Sequence, residues 1–131
     1  MLQFVTLAIL ALSAVAKPVS TSVEASSAVI TGGFASFFSQ NGLAGACGAV
    51  HRDSDFIAAI DISRYGSATT SPLCGRQVQI TNANNGKSVV VTIADACFTC
   101  PNANSFDLST GAFQAIASLA DGLVPITWSF L

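Results

Sequence analysis

Two aspartates and four cysteines sit where this sequence allows chemistry. Asp95 closes the run Val89-Val90-Val91-Thr92-Ile93-Ala94-Asp95. Alternate residues of a strand share a face, so Asp95 is expected to point the same way as Val89, Val91 and Ile93. Burial at the end of an apolar face disfavours the charged carboxylate, which suits a general acid. The alternative role for Asp95 is structural, as a strand-end acceptor for the loop carrying Cys97. Asp107 lies in Ser105-Phe106-Asp107-Leu108-Ser109, just ahead of a helical pattern. There it serves either chemistry or helix capping shared with Ser109. Asp53, Asp55 and Asp61 flank an apolar run and read as solvated ends. His51, the single histidine, offers a base, with an exposed loop residue as the plainer reading. No Gly-x-Ser-x-Gly occurs, so nothing supports a serine nucleophile elbow. Tyr65, followed by Gly66, is expected in a loop, where its ring offers a stacking surface for sugar. Trp128 fits a buried alternation and reads as core.

The cysteines are Cys47, Cys74, Cys97 and Cys100. An even count in an oxidising compartment reads as two disulfides, and four cysteines allow three pairings. Cys97-x-x-Cys100 also has the spacing of a redox pair or of half a zinc site. Zinc needs two further ligands, and His51 is the only histidine, so no metal is expected. A redox motif of the thioredoxin kind is expected within a βαβ pattern, which these flanks lack.

The elements that must position these residues are mostly short strands. Phe34 to Phe38 is a short aromatic run and Asp55 to Ile60 an apolar one. Gln77 to Thr81 alternates polar and apolar residues, and Ser88 to Asp95 returns as the second arm of a hairpin. Asn84-Asn85-Gly86-Lys87 supplies its turn, with Asn85-Gly86 suited to positive φ. Val124, Ile126, Trp128 and Phe130 alternate with Pro125, Thr127 and Ser129, which is period two. Pro125 cannot donate to a ladder and is expected at a strand start or a sheet edge. Ala112, Phe113, Ile116 and Leu119 share a helical face. Ser109 is expected to cap that helix and Asp121-Gly122 to end it. Short strands with one short helix predict a mainly β fold, a small barrel with an inserted helix.

Composition and the first residues bound the rest. The chain of 131 residues has a net charge of −2 and only five Lys and Arg, which excludes nucleic-acid binding by phosphate neutralisation. Its length allows one domain. Leu2 to Leu12 is apolar but shorter than the ~20 residues of a membrane span. Ala14-Val15-Ala16 follows, the small-x-small pattern of a signal-peptidase site. Residues 1–16 are therefore expected to be a signal peptide, 17–32 a flexible Ser/Thr-rich leader and 33–131 the folded domain. The mature protein is expected to be extracellular, free of the membrane, monomeric and without a cofactor.

Six motifs in order carry a resemblance. They are Gly45-Ala46-Cys47-Gly48, Cys74-Gly75-Arg76, Asn85-Gly86-Lys87-Ser88, Asp95-x-Cys97-x-x-Cys100, Phe106-Asp107-Leu108-Ser109 and Ile126-Thr127-Trp128-Ser129-Phe130. Together they resemble the small secreted fungal proteins with a rare-lipoprotein-A-like double-psi β-barrel, relatives of the expansin N-terminal domain, the loosenins and the barwin-type defence proteins. The likeness covers about residues 33–131. It implies a six-stranded double-psi β-barrel with one short helix and a surface groove. It implies that Cys47 pairs with Cys74 and Cys97 with Cys100. Asp107 matches the acid of the expansin-like pattern, although Ser105 stands where the family has His. Asp95 matches a groove Asp of the bacterial lytic relatives, although Thr69 replaces their His. Ser39 stands near the place of a second family Asp. Phe98 departs from the usual Pro and offers a stacking platform beside Asp95.

The resemblance implies a secreted wall-loosening protein that binds cell-wall polysaccharide such as cellulose, chitin or a peptidoglycan-like glycan. With both partner groups replaced, activity is expected to be non-hydrolytic. Asp95 and Asp107 are the expected catalytic or binding acids, with Tyr65 and Phe98 as further glycan contacts. The alternatives are a glycan-cleaving enzyme of the lytic transglycosylase type, and a secreted effector, inhibitor or defence protein on the same barrel.

Overall fold

A computed structural model describes residues 28–131. The expected signal peptide, and the leader up to residue 27, lie outside the described residues. Six strands form the fold: β1 (Ile30–Phe38), β2 (Ile57–Asp61), β3 (Gln77–Asn82), β4 (Ser88–Cys97), β5 (Phe106–Ser109) and β6 (Val124–Phe130). They close into a barrel in the order β1-β5-β2-β4-β3-β6. β1 with β5 and β2 with β4 run parallel, and the other neighbours run antiparallel. Strand β1 starts at Ile30, which pairs with Trp128, so residues 30–32 of the span expected to be leader belong to a strand.

Period-two patterning explains β3, β4 and β6. Val78 faces Val91 and Ile80 faces Val89 across the hairpin. All four are buried, as are Val124, Ile126 and Trp128. At the hairpin turn Gly86 alone takes a positive φ, 75°, and its N–H closes on the Asn82 carbonyl at 2.8 Å. Pro125 falls at the start of β6, opposite Phe34.

The core centres on Trp128, 2% exposed, which meets Phe106 edge-on at 4.7 Å and Phe130 at 5.2 Å. Its indole N–H donates to the Asn104 carbonyl at 2.9 Å, so the buried polar edge is satisfied. Gly33 lies where β1 passes the same carbonyl. A Cβ on Gly33 would stand 1.8 Å from it, so no other residue fits without moving the backbone.

Two short helices complete the chain, α1 (Ile62–Tyr65) and α2 (Thr110–Ile116). α2 buries Ala112, Phe113 and Ile116, and Ser109 caps it by accepting from the Ala112 N–H. The helix stops at Ile116 rather than running to Asp121. Asn82 and Asn85 each donate a side-chain N–H to the Ile116 carbonyl at 2.9 Å, which caps the last turn. Ser118 and Asp121 then form their own capping box around a separate 3-10 turn, Leu119–Asp121. Local side-chain bonds have won over helical periodicity here. Leu119 is 36% exposed and does not extend the buried face.

Candidate functional site

β2 lies between β4 and β5, and this arrangement brings the two acids together. Ala58 and Ile60 belong to the core, so Ala59 between them faces away from it. Ala59 pairs with Asp95 of β4 on one side and with Asp107 of β5 on the other. Asp107 in turn pairs with Ser36 of β1. Ser36, Asp107, Ala59 and Asp95 thus form one row across four strands on the outer side of the barrel. With about 4.8 Å between neighbouring strands, the Asp95 and Asp107 backbones stand about 10 Å apart.

A β-bulge puts Asp95 in this row. The register passes from Ala58–Ile93 to Ala59–Asp95, leaving Ala94 unpaired with β2. One extra residue inverts the phase of all that follow. Asp95 therefore does not share the apolar face of Val89, Val91 and Ile93, as strict alternation predicted. The bulge also anchors the loop between β1 and β2. The Ala94 carbonyl accepts from the Cys47 N–H at 3.2 Å. Asp95 Oδ1 accepts from the Ala46 N–H at 2.7 Å and the Ala96 N–H at 2.9 Å. Of the two roles considered for Asp95, the structural one is seen, but Oδ1 holds the loop of Cys47 rather than that of Cys97, and neither bond uses Oδ2.

Gln40 belongs beside Asp95, although no sequence pattern singled it out. A Cβ on Gly45 would lie 2.6 Å from Gln40 Nε2 and 3.0 Å from Asp95 Cγ, so glycine is needed where the two side chains crowd together. Gln40 Oε1 accepts from the His51 N–H at 2.9 Å. Its Nε2 is buried and is the one such side-chain atom without a hydrogen-bond partner among the described residues. A lone amide in sequence gives no signal of this kind.

Asp107 is half-buried, and burial pushes its carboxyl above the usual carboxylate range by penalising the charge. Cys97 Sγ lies 3.4 Å from its Oδ2. Helix capping falls to Ser109 alone, so Asp107 stays in the row. Cys97 pairs with Cys100, and Cys47 with Cys74, as the resemblance implied. Cys97, Cys100 and Asp107 bring their ligand atoms within 4.8 Å of one another, but both sulfurs are committed to the disulfide.

Phe98 follows Cys97 directly and is 76% exposed, leaving its ring free. Tyr65 is different. α1 turns it into the core, where it is 5% exposed and its hydroxyl donates to the Thr69 carbonyl at 2.8 Å. Its ring offers no open face to a sugar. Asp61 is also not the solvated end expected. It is buried and caps α1 by accepting from the Ser63 N–H at 3.0 Å. His51 is half-buried with Nδ1 3.5 Å from Asp55 Oδ2, while Asp53 accepts from Ser39 at 2.7 Å. Ser105 is fully buried and takes the Phe34 N–H at 3.0 Å, a structural bond.

The barrel and its interlocked parallel pairs define a class. Residues 30–128 match the profile of a family described as lytic transglycolase. The chain belongs to this family of rare-lipoprotein-A-like double-psi β-barrels. Among solved structures it is similar to the Streptomyces papain inhibitor, with a TM-score of 0.70 and 31% identity over 79% of this chain and 94% of that one. It is also similar to the apo expansin of Clavibacter michiganensis, with a TM-score of 0.65 and 27% identity over 79% of this chain and 50% of that one. A variant of that expansin solved with cellohexaose is 24% identical, with a TM-score of 0.66, and shares the fold. A ripening-related protein of Oryza sativa subsp. japonica is 30% identical over 116 residues, 84% of this chain. The chain spans about two thirds of the curated relatives it matches, 67% of that rice protein and 66% of an uncharacterized Synechocystis protein that is 49% identical over 64 residues.

Proposed function

We propose that this barrel binds cell-wall polysaccharide across the outer row of β1, β5, β2 and β4, and loosens the wall without hydrolysing it. The observation that carries this reading is the pairing of Asp95 and Asp107 with the same alanine. Asp107, whose carboxyl burial raises above the usual carboxylate range, donates a hydrogen bond to a glycan oxygen in its protonated form. Asp95 Oδ2 accepts from a sugar hydroxyl. Exposed Phe98 gives an apolar ring for a sugar face. Such contacts compete with the hydrogen bonds between glycan chains. The expansin solved with cellohexaose supports a polysaccharide as ligand on this fold. The two disulfides suit action outside the cell.

The test is co-sedimentation of residues 17–131 with insoluble cellulose, chitin and peptidoglycan, with mass spectrometry of the supernatants. Binding is expected to at least one of them, with no oligosaccharide released, and Asp107→Asn should weaken it. Oligosaccharide release that disappears in Asp107→Asn would replace this reading with a glycan-cleaving enzyme. An acid and a base working around one water stand about 6.5–9.5 Å apart in inverting hydrolysis, so the paired acids make that outcome worth measuring.

A second reading is favoured by the papain inhibitor, which this chain matches over 94% of its length. That barrel is a papain inhibitor, and on this chain the exposed β1–β2 loop with Leu43 and Val50 would supply the contact. Papain activity titrated with the purified protein tests it. Undiminished proteolysis at a molar excess removes it.

A further inference from the structure

The Cys97–Cys100 disulfide has features that a structural crosslink does not need. It joins residues only three apart, so it closes almost no chain. Cys97 is 3% exposed while Cys100 is half-buried, so Cys100 is the more accessible of the two residues. The inner sulfur, Cys97 Sγ, lies 3.4 Å from Asp107 Oδ2. Residues 101–103 after Cys100 are exposed, as are Phe98 and Thr99 within the loop. Cys47–Cys74 spans 27 residues and has no carboxylate at either sulfur among the hydrogen bonds of the described residues.

We propose that Cys97–Cys100 is a thiol–disulfide exchange site for low-molecular-weight thiols, with Asp107 as the proton donor to Cys97. It stands independently of the glycan reading. An attacking thiolate forms a bond to the more accessible Cys100 Sγ, and the Cys97–Cys100 bond breaks. The electron pair leaves on Cys97 Sγ, which takes the proton of the Asp107 carboxyl. The products are a mixed disulfide on Cys100, a Cys97 thiol and an Asp107 carboxylate. A second thiolate attacks the external sulfur of the mixed disulfide. It is released as the oxidised small-molecule disulfide, and Cys100 leaves as a thiolate that solvent protonates. Two external thiols are oxidised and one protein disulfide is reduced.

The burial that holds the Asp107 proton favours this role, because a carboxyl that ionises late remains a donor at higher pH. An ionised Asp107 would instead repel the thiolate forming beside it. The other acids near Asp107 are Asp95 on β4 and Asp61 on β2. Asp95 lies across Ala59, and Asp61 is engaged with Ser63.

The experiment uses oxidised protein and reduced glutathione, quenched by alkylation and mapped by peptide mass spectrometry. Cys97–Cys100 should open at least about tenfold faster than Cys47–Cys74 while the far-ultraviolet dichroism of the barrel persists; even modest general-acid assistance is of this size or larger. The early adduct should sit on Cys100. Per glutathione thiolate, the rate should fall as pH rises through the titration of Asp107, and Asp107→Asn should remove that inflection. Reduction of both disulfides together with loss of the barrel overturns the proposal, as does an adduct on Cys97. A flat thiolate-corrected profile in the wild-type protein overturns it too, and that measurement does not depend on the variant folding.

Discussion

Asp107 links stability to pH, and the sign follows from burial. Its carboxyl is raised by desolvation, so the folded state holds the proton more tightly than the unfolded chain. The stability this contributes is fully present below the unfolded value and is lost as pH rises through the raised folded value. Asp107→Asn carries no such term. Melting curves across acidic to neutral buffers should therefore show the wild-type protein losing ground against Asp107→Asn as pH rises. Parallel curves would contradict the assignment. Gln40 gives a second test at this scale. Its unpaired Nε2 contributes no internal hydrogen bond. Its Oε1, however, accepts from the His51 N–H, so Gln40→Ala should cost about 1 kcal/mol of stability and leave glycan binding unchanged, read by urea denaturation and co-sedimentation. A loss of binding without a loss of stability would instead place the amide at the glycan.

At the scale of elements, the two crosslinks should differ. Sequence separations of 27 and 3 give loop-closure contributions of about 3.5 and 2 kcal/mol in the chain-entropy account. Replacing Cys47 and Cys74 by serine should lower the urea midpoint more than replacing Cys97 and Cys100, and equilibrium unfolding of the two double variants measures it. The elements also show what was legible beforehand. β3, β4 as far as Ile93, and β6 follow from alternation, since each buries one face over that length. β5 does not, because four residues are too few for a period. Its sequence, Phe106 to Ser109, reads as a prelude to α2, and only the family likeness supplied the sixth strand. α1 is as short, so Tyr65 read as loop and its burial was invisible. Asp95 was found by type and position, but a single inserted residue, Ala94, put it on the other face. Its partnership with Asp107 across Ala59 is tertiary register, which no local pattern encodes.

At the scale of the whole molecule, Trp128 joins four parts. It pairs with Ile80 of β3 and Ile30 of β1, stacks edge-on with Phe106 of β5, and has the Arg64 guanidinium 5.1 Å from its ring centre. Trp128→Ala should cost about 3–5 kcal/mol, enough to unfold a domain of marginal stability. Chemical denaturation followed by far-ultraviolet dichroism reads this. A smaller loss would mean that neighbouring rings collapse into the space.

β1 comes first in the described chain, yet its only neighbours are β5 and β6. A polypeptide leaves the ribosome from its amino end, so this strand waits for nearly the whole chain before it can be paired. The β3–β4 hairpin and the β2–β4 pair can form earlier, but β1 has no strand partner before β5 emerges, and without β6 the barrel cannot close, so a nascent chain stopped ahead of Val124 should remain open and protease-sensitive. Closure of this barrel is therefore a late event in the life of each copy.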